Sequence, residues 1–158
     1  MRKVIKSPKD CSETDLKLFK HLVNENGEVS TIGLDSRILN AENLIFIYDD
    51  QDILTAVGAI KRPNARYKSD VFEKVGYSAN IEFELGWLSV SKTARGKGYG
   101  RILMESICKA LSNTPCFATT RENNTAMHKL FNEFSFSKTG NPYKSDRGDY
   151  SLVLYLKK

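Results

Sequence analysis

The chain has 158 residues, 41% of them hydrophobic and 27% charged, with a formal net charge of +5. Ordinary globular proportions at this length allow a real core without disulfide staples, and one domain over residues 1–158 is expected. No apolar run approaches a membrane span, and Met1 to Pro8 lacks the apolar core of a signal peptide, so no membrane partner and a cytoplasmic location are expected.

In chain order, Arg2 to Lys6 predicts a first strand. Ser12-Glu-Thr-Asp15 resembles a capping box, and Leu16, Phe19, Leu22 and Val23 follow at helical spacing until Asn26-Gly27 stops the helix. Leu34 to Leu39 predicts a short second helix. Two apolar runs, Asn43 to Tyr48 and Ile53 to Lys61, flank Asp49-Asp50-Gln51-Asp52 and read as a hairpin. Arg62 to Asn80 is polar and reads as irregular, with one helical turn around Asp70 to Val75. Ile81 to Val90 predicts a long strand, in which Gly86 marks the place for a bulge. Tyr99, Leu103, Ile107 and Leu111 share a helix face, Cys116 to Thr120 reads as a short buried strand, and Ala126, Met127, Leu130, Phe131 and Phe134 line another helix. Tyr150 to Leu156 alternates like a closing strand. The alternation of strands and helices gives an α/β fold with a mixed sheet.

Cys11, Cys108 and Cys116 are odd in number and show no metal-ligand spacing, which fits free thiols and no metal. The positive charge is mild and spread along the chain, so no nucleic-acid partner is expected, while a polyanionic small ligand is favoured.

The most informative stretch joins the long strand to the helix after it: Leu88-Ser89-Val90-Ser-Lys-Thr-Ala-Arg95-Gly96-Lys97-Gly98-Tyr99-Gly100-Arg101. Glycines let a backbone turn tightly and present its N–H groups to a ligand, and a helix start adds unpaired donors and the positive end of its dipole. Such a turn suits phosphate. It is not a P-loop, because Lys97 is followed by Gly98 rather than Ser or Thr. It is not a dinucleotide fingerprint either, because Gly100 comes one residue too soon.

Arg95-Gly96-Lys97-Gly98-Tyr99-Gly100 resembles the acyl-CoA loop of the GNAT superfamily of N-acetyltransferases, Gln/Arg-x-x-Gly-x-Gly/Ala, with Val90 five residues before the arginine as in many members. Asn124-Thr-Ala126-Met127-His-Lys-Leu130-Phe131-Asn-Glu-Phe134-Ser135-Phe136 looks like the family's Asn-x-x-Ala-x-x-Leu-Tyr-x-x-x-Gly-Phe segment. The resemblance is clear from Ile81 to Phe136. It implies a mixed, mostly antiparallel central sheet, splayed at the cofactor site and flanked by helices. It also implies acetyl transfer from acetyl-CoA to a primary amine by direct attack in a ternary complex, in a monomer or homodimer.

On that resemblance the pyrophosphate of coenzyme A belongs on the N–H groups of Gly96, Gly98, Gly100 and Arg101, with charge added by Arg95, Lys97 and Arg101 and with Tyr99 in the same turn. The pantetheine arm pairs like an added strand with Leu88, Ser89 and Val90. Asn124 looks like the residue that bonds the arm or a nearby backbone group, an N-cap being the alternative, and Phe131 is expected to pack against the arm. An attacking amine must be neutral, so a general base helps. Glu84, six residues before Val90, resembles the family's catalytic glutamate, and Glu82 shares its face by the two-residue period. The departure is Phe131, where many members carry the tyrosine that protonates the departing thiolate. Tyr99, Tyr143 or water are the alternatives, and His128 reads as a surface residue. The segments 62–80 and 139–149 are expected on the acceptor side. The missing tyrosine also motivates a second reading, a non-catalytic module that binds or senses acyl-CoA.

Overall fold

A computed structural model describes residues 1–27 and 29–158. Its seven strands are ordered β1-β2-β3-β4-β5-β7-β6, where β1 is Arg2–Lys6, β2 Asn43–Tyr48, β3 Leu54–Lys61, β4 Phe83–Val90, β5 Cys116–Arg121, β6 Ser137–Lys144 and β7 Ser151–Lys157. The β1–β2, β2–β3, β5–β7 and β6–β7 pairs are antiparallel, and β4 pairs in parallel with β5. Five helices flank them: α1 Glu13–Glu25, α2 Leu34–Leu39, α3 Ala65–Val75, α4 Tyr99–Leu111 and α5 Thr125–Glu133. The expected mixed, mostly antiparallel sheet with flanking helices is what the chain forms. Two compact units divide it, one of Met1–Arg62 with Leu85–Ser112, the other of Pro63–Glu84 with Asn113–Lys158.

In the first unit the capping box is complete. Asp15 N–H donates to Ser12 Oγ and Ser12 N–H donates to Asp15 Oδ2, each at 3.0 Å. Lys6 Nζ also reaches Asp15 at 3.0 Å, and this bond with the Ser12 backbone bond holds the Asp15 carboxyl below its ordinary range. The buried face of α1 follows the period read from the sequence, with Phe19, Leu22 and Val23 inside. Phe19 meets Phe46 of β2 edge-on at 5.7 Å and Trp87 of β4 at 6.2 Å. On β3, a Cβ on Gly58 would stand 3.0 Å from Leu88 Cδ2 and 3.2 Å from Ile107 Cδ1, so glycine here lets β4 and α4 pack closely.

The second unit departs from the sequence reading in two places. Residues 65–75 are a full eleven-residue helix, not an irregular segment with one turn. Asn64 Oδ1 accepts from Tyr67 N–H at 2.7 Å to cap it, and Gly76 (φ 71) closes it. The polar surface of α3 hides an apolar stripe of Val71, Phe72 and Val75 that packs with Ile81, Phe117, Leu154 and Leu156. The second departure is β6, an eight-residue strand where the sequence reading predicted none. It pairs with β7 on both sides of an irregularity between Thr139 and Tyr143. Gly140 (φ 71) fits there only as glycine, because a Cβ would lie 2.3 Å from the Val75 carbonyl oxygen at the end of α3.

Candidate active site

In the first unit, β4 runs out through Leu88, Ser89 and Val90, and Ser91 N–H donates to Thr55 O of β3 at 2.8 Å. A short 3-10 turn, Lys92–Ala94, follows, fixed by buried Ala94 and by Glu25 of α1, whose Oε1 accepts from Lys92 N–H at 3.0 Å. Arg95 then bonds Asn26 Oδ1 at the end of α1. Three hydrogen bonds to distant parts of the sequence, one to β3 and two to the end of α1, therefore hold the loop.

The glycines answer a backbone demand. Gly96 stands at φ 75 and Gly98 at φ 85, conformations that cost any other L-residue about 1–2 kcal/mol. No atom lies within 4 Å of the Cβ that either would carry, so conformation rather than crowding requires glycine. Gly98 is the N-cap of α4 and supplies no side-chain hydrogen bond to the first turn. The start of this thirteen-residue helix thus receives no side-chain cap from its N-cap residue, an arrangement suited to accept an anion on main-chain N–H groups. Lys97 is exposed beside them, and Arg101 pairs loosely with Glu105 at 3.6 Å.

With the strand, glycine turn and helix in this geometry, the comparisons are decisive. Residues 14–136 match the model of the acetyltransferase (GNAT) family. The chain belongs to the GNAT family. Among solved structures, this GNAT chain resembles an acyl-CoA N-acyltransferase from Pseudomonas aeruginosa (18% identity, 99% of each chain, TM-score 0.75). It also resembles ElaA from Escherichia coli (14%, 99% of each chain, TM-score 0.74). A third is NAA60 from Arabidopsis thaliana in complex with acetyl-CoA (13%, 99% of each chain, TM-score 0.70). Among curated proteins, none matches the sequence.

The irregularity of β4 falls at Trp87 (φ 53), one residue beyond the expected Gly86. The left-handed backbone costs the bulky residue about 1–2 kcal/mol. The buried indole recovers this against Phe19, with Lys61 Nζ 4.7 Å and the Arg37 guanidinium 6.0 Å from its ring.

The other expected site residues of this GNAT chain lie in the second unit. Glu84 is 4% exposed, whereas Glu82 is exposed and precedes the strand, which starts at Phe83. The two glutamates therefore do not form the same-face strand pair that the two-residue period suggested. Glu84 pairs in register with Phe117 of β5. Tyr67 of α3 and Tyr143 of β6 both lie in the electrostatic neighbourhood of Glu84 and Thr119 of β5. Burial first, then the charges of Glu84 and Tyr143, push the Tyr67 phenol well above its usual range. Burial and then Glu84 raise Tyr143 likewise. A buried glutamate beside two phenols is thus a tertiary product that no motif announced. The one local sign was Tyr67 three residues after a capping Asn64.

Asn124 caps α5, its Oδ1 accepting from Met127 N–H at 3.2 Å. Phe131 is 1% exposed and lies 4.7 Å from the Tyr155 ring and 5.3 Å from Phe136, so its contacts are core contacts rather than an open face for a cofactor arm. His128 is no idle surface residue. Its Nε2 is 2.8 Å from Glu122 O, which requires a proton on Nε2 when the ring is neutral. Nδ1 then accepts the Tyr155 hydroxyl at 2.5 Å. Burial raises the Tyr155 phenol. Ser135, where the family segment has glycine, sits at φ 64.

Proposed function

We propose that this GNAT acetyltransferase moves an acetyl group from acetyl-CoA to a primary amine by direct attack in a ternary complex. The observation that carries the reading is the left-handed Gly96 and Gly98 before the uncapped start of α4. A pyrophosphate accepts hydrogen bonds there from main-chain N–H groups between Gly96 and Arg101, while Lys97 and Arg101 add modest surface attraction. Arg95 contributes chiefly by tying the loop to Asn26. The acetyl-CoA present in the NAA60 complex supports the donor. Leu88, Ser89 and Val90 offer strand backbone to the amides of the pantetheine arm.

Glu84 serves as general base, directly or through a water. An alkylammonium loses a proton toward its carboxylate, and the amine lone pair attacks the acetyl carbon. The C–N bond forms, the tetrahedral intermediate collapses, and the C–S bond breaks with its electron pair going to sulfur. The thiolate of coenzyme A is a tolerable leaving group because thiols ionise near ~8.5, so solvent protonates it without a dedicated acid. The buried Phe131 has no proton to give.

Turnover of acetyl-CoA with spermidine, an aminoglycoside, a lysine peptide and a peptide with a free N-terminus tests the activity. Glu84→Gln should lower kcat about 100-fold or more and flatten the acidic limb of the pH–rate profile, with little change in acetyl-CoA affinity. A fully active Glu84→Gln removes that residue from the mechanism. Tight acetyl-CoA binding with no acetylated amine makes the chain an acyl-CoA-binding module instead.

A further inference from the structure

Within the first unit, the glycine loop is gripped from outside its own motif by two consecutive residues at the far end of α1. Glu25 Oε1 accepts from Lys92 N–H at 3.0 Å across 67 positions of sequence, and the Arg95 guanidinium donates to Asn26 Oδ1. Lys92 opens the 3-10 turn Lys92–Ala94 and Arg95 closes it, so the two bonds hold that turn at both ends, around buried Ala94. Ser91, the N-cap of the turn, gives it no side-chain cap among the described residues, and the Glu25 carboxylate does that work from α1. Glu25 is a poor choice for its own helix. It is the last residue of α1, where the helix dipole favours a cation and disfavours a carboxylate. A residue that works against its own element and for a neighbouring loop is the kind of local conflict expected where a site is being served. Asn26 stands next to it, partly buried like Glu25.

We propose that Glu25 and Asn26 are positioning residues for coenzyme A, which fix the path of the chain into Gly96 and Gly98, and that Arg95 acts through Asn26 rather than on a phosphate. This rests on the reading of the loop as the coenzyme A site given above. The physical reason is conformational entropy. Two left-handed glycines within three residues give the segment much backbone freedom to lose. Bonds that hold the loop to α1 remove that freedom independently of the ligand, so binding has less of it to remove and gains affinity without a new contact. The same geometry divides the basic side chains of the loop by task. Arg95 is oriented toward α1 and serves as the tether, while attraction to phosphate is left to Lys97 and Arg101.

The test uses the full chain and calorimetric titration with coenzyme A. Glu25→Ala and Asn26→Ala should each weaken binding about fivefold, the scale of one hydrogen bond. Glu25→Gln and Asn26→Asp keep the accepting oxygen and should bind within about twofold of the parent. In turnover with the fastest amine of the panel, the alanine variants should raise KM for acetyl-CoA more than they lower kcat. Arg95 supplies an arm that leaves α1 intact. If it acts through Asn26, the double variant Asn26→Ala/Arg95→Met should bind no more weakly than Arg95→Met alone. Added salt should weaken binding as steeply in Arg95→Met as in the parent, whereas Lys97→Met should flatten that dependence. Losses that multiply in the double variant, or a flattened salt dependence in Arg95→Met, would put Arg95 on the phosphate and overturn the tether. Alanine variants that bind like the parent, or Glu25→Gln and Asn26→Asp proteins that bind as weakly as the alanines, overturn the proposal as well. If Gly98→Val loses affinity while the alanine variants keep it, this inference alone fails; if a folded Gly98→Val binds coenzyme A like the parent, the reading of the loop fails.

Discussion

Replacing Phe131 by tyrosine restores the residue that many GNAT members carry, and the structure argues that it will not restore their chemistry. The ring is 1% exposed and packed 4.7 Å from Tyr155 and 5.3 Å from Phe136. A hydroxyl added there enters an apolar site, and a buried unsatisfied hydroxyl costs about 1–3 kcal/mol. For a chain of this size, that lowers Tm by about 2–10 °C. Phe131→Ala goes further, since losing a buried ring and leaving a cavity costs about 3–5 kcal/mol. Coenzyme A affinity should change little in either variant that remains folded. Thermal unfolding by circular dichroism, with calorimetric titration of coenzyme A, measures both quantities. A Phe131→Tyr protein as stable as the parent with raised kcat would show that the hydroxyl reaches the leaving sulfur. A Phe131→Ala protein with unchanged Tm and lost affinity would place the ring against the cofactor instead.

Gly98→Val should weaken coenzyme A binding at least tenfold, because φ 85 excludes a β-branched residue and the first turn of α4 must shift; unchanged affinity in a well-folded variant would remove this loop from the site. Raising salt should weaken binding further in the parent protein, since Lys97 and Arg101 act on phosphate through exposed, screened charge. Gly140→Ala should destabilise by about 2–4 kcal/mol, combining a left-handed alanine with a Cβ 2.3 Å from Val75 O; an unchanged Tm would show that β6 and α3 part at no cost.

Local sequence chemistry determined a large part of this protein. Ser12 and Asp15 cap α1, Asn26-Gly27 ends it, and the apolar period of α4 comes directly from side chains spaced three and four apart. The glycine turn was legible for the same reason: φ near 80° at Gly96 and Gly98 is a property of those residues, and the uncapped helix start follows from the residue at its N-cap. Helix α3 was hidden because its exposed side chains outnumber the three that pack, so its capping Asn64 was the stronger local sign. Strand β6 was hidden because Gly140 and Pro142 argue against a strand, and it exists through pairing with β7 rather than through its own propensity. Trp87 holds a backbone angle that only the surrounding ring contacts explain, which is why the irregularity read at Gly86 moved by one residue. The candidate site divides on the same line. An anion turn is built from consecutive residues and can be read in order. Glu84 of β4 and Tyr67 of α3 become neighbours only in the folded second unit, and burial, which no motif encodes, is what raises the Tyr67 phenol. Phe131 and His128 make the same point in reverse, since one looked open to the cofactor and the other idle until packing gave them Tyr155 as a common neighbour.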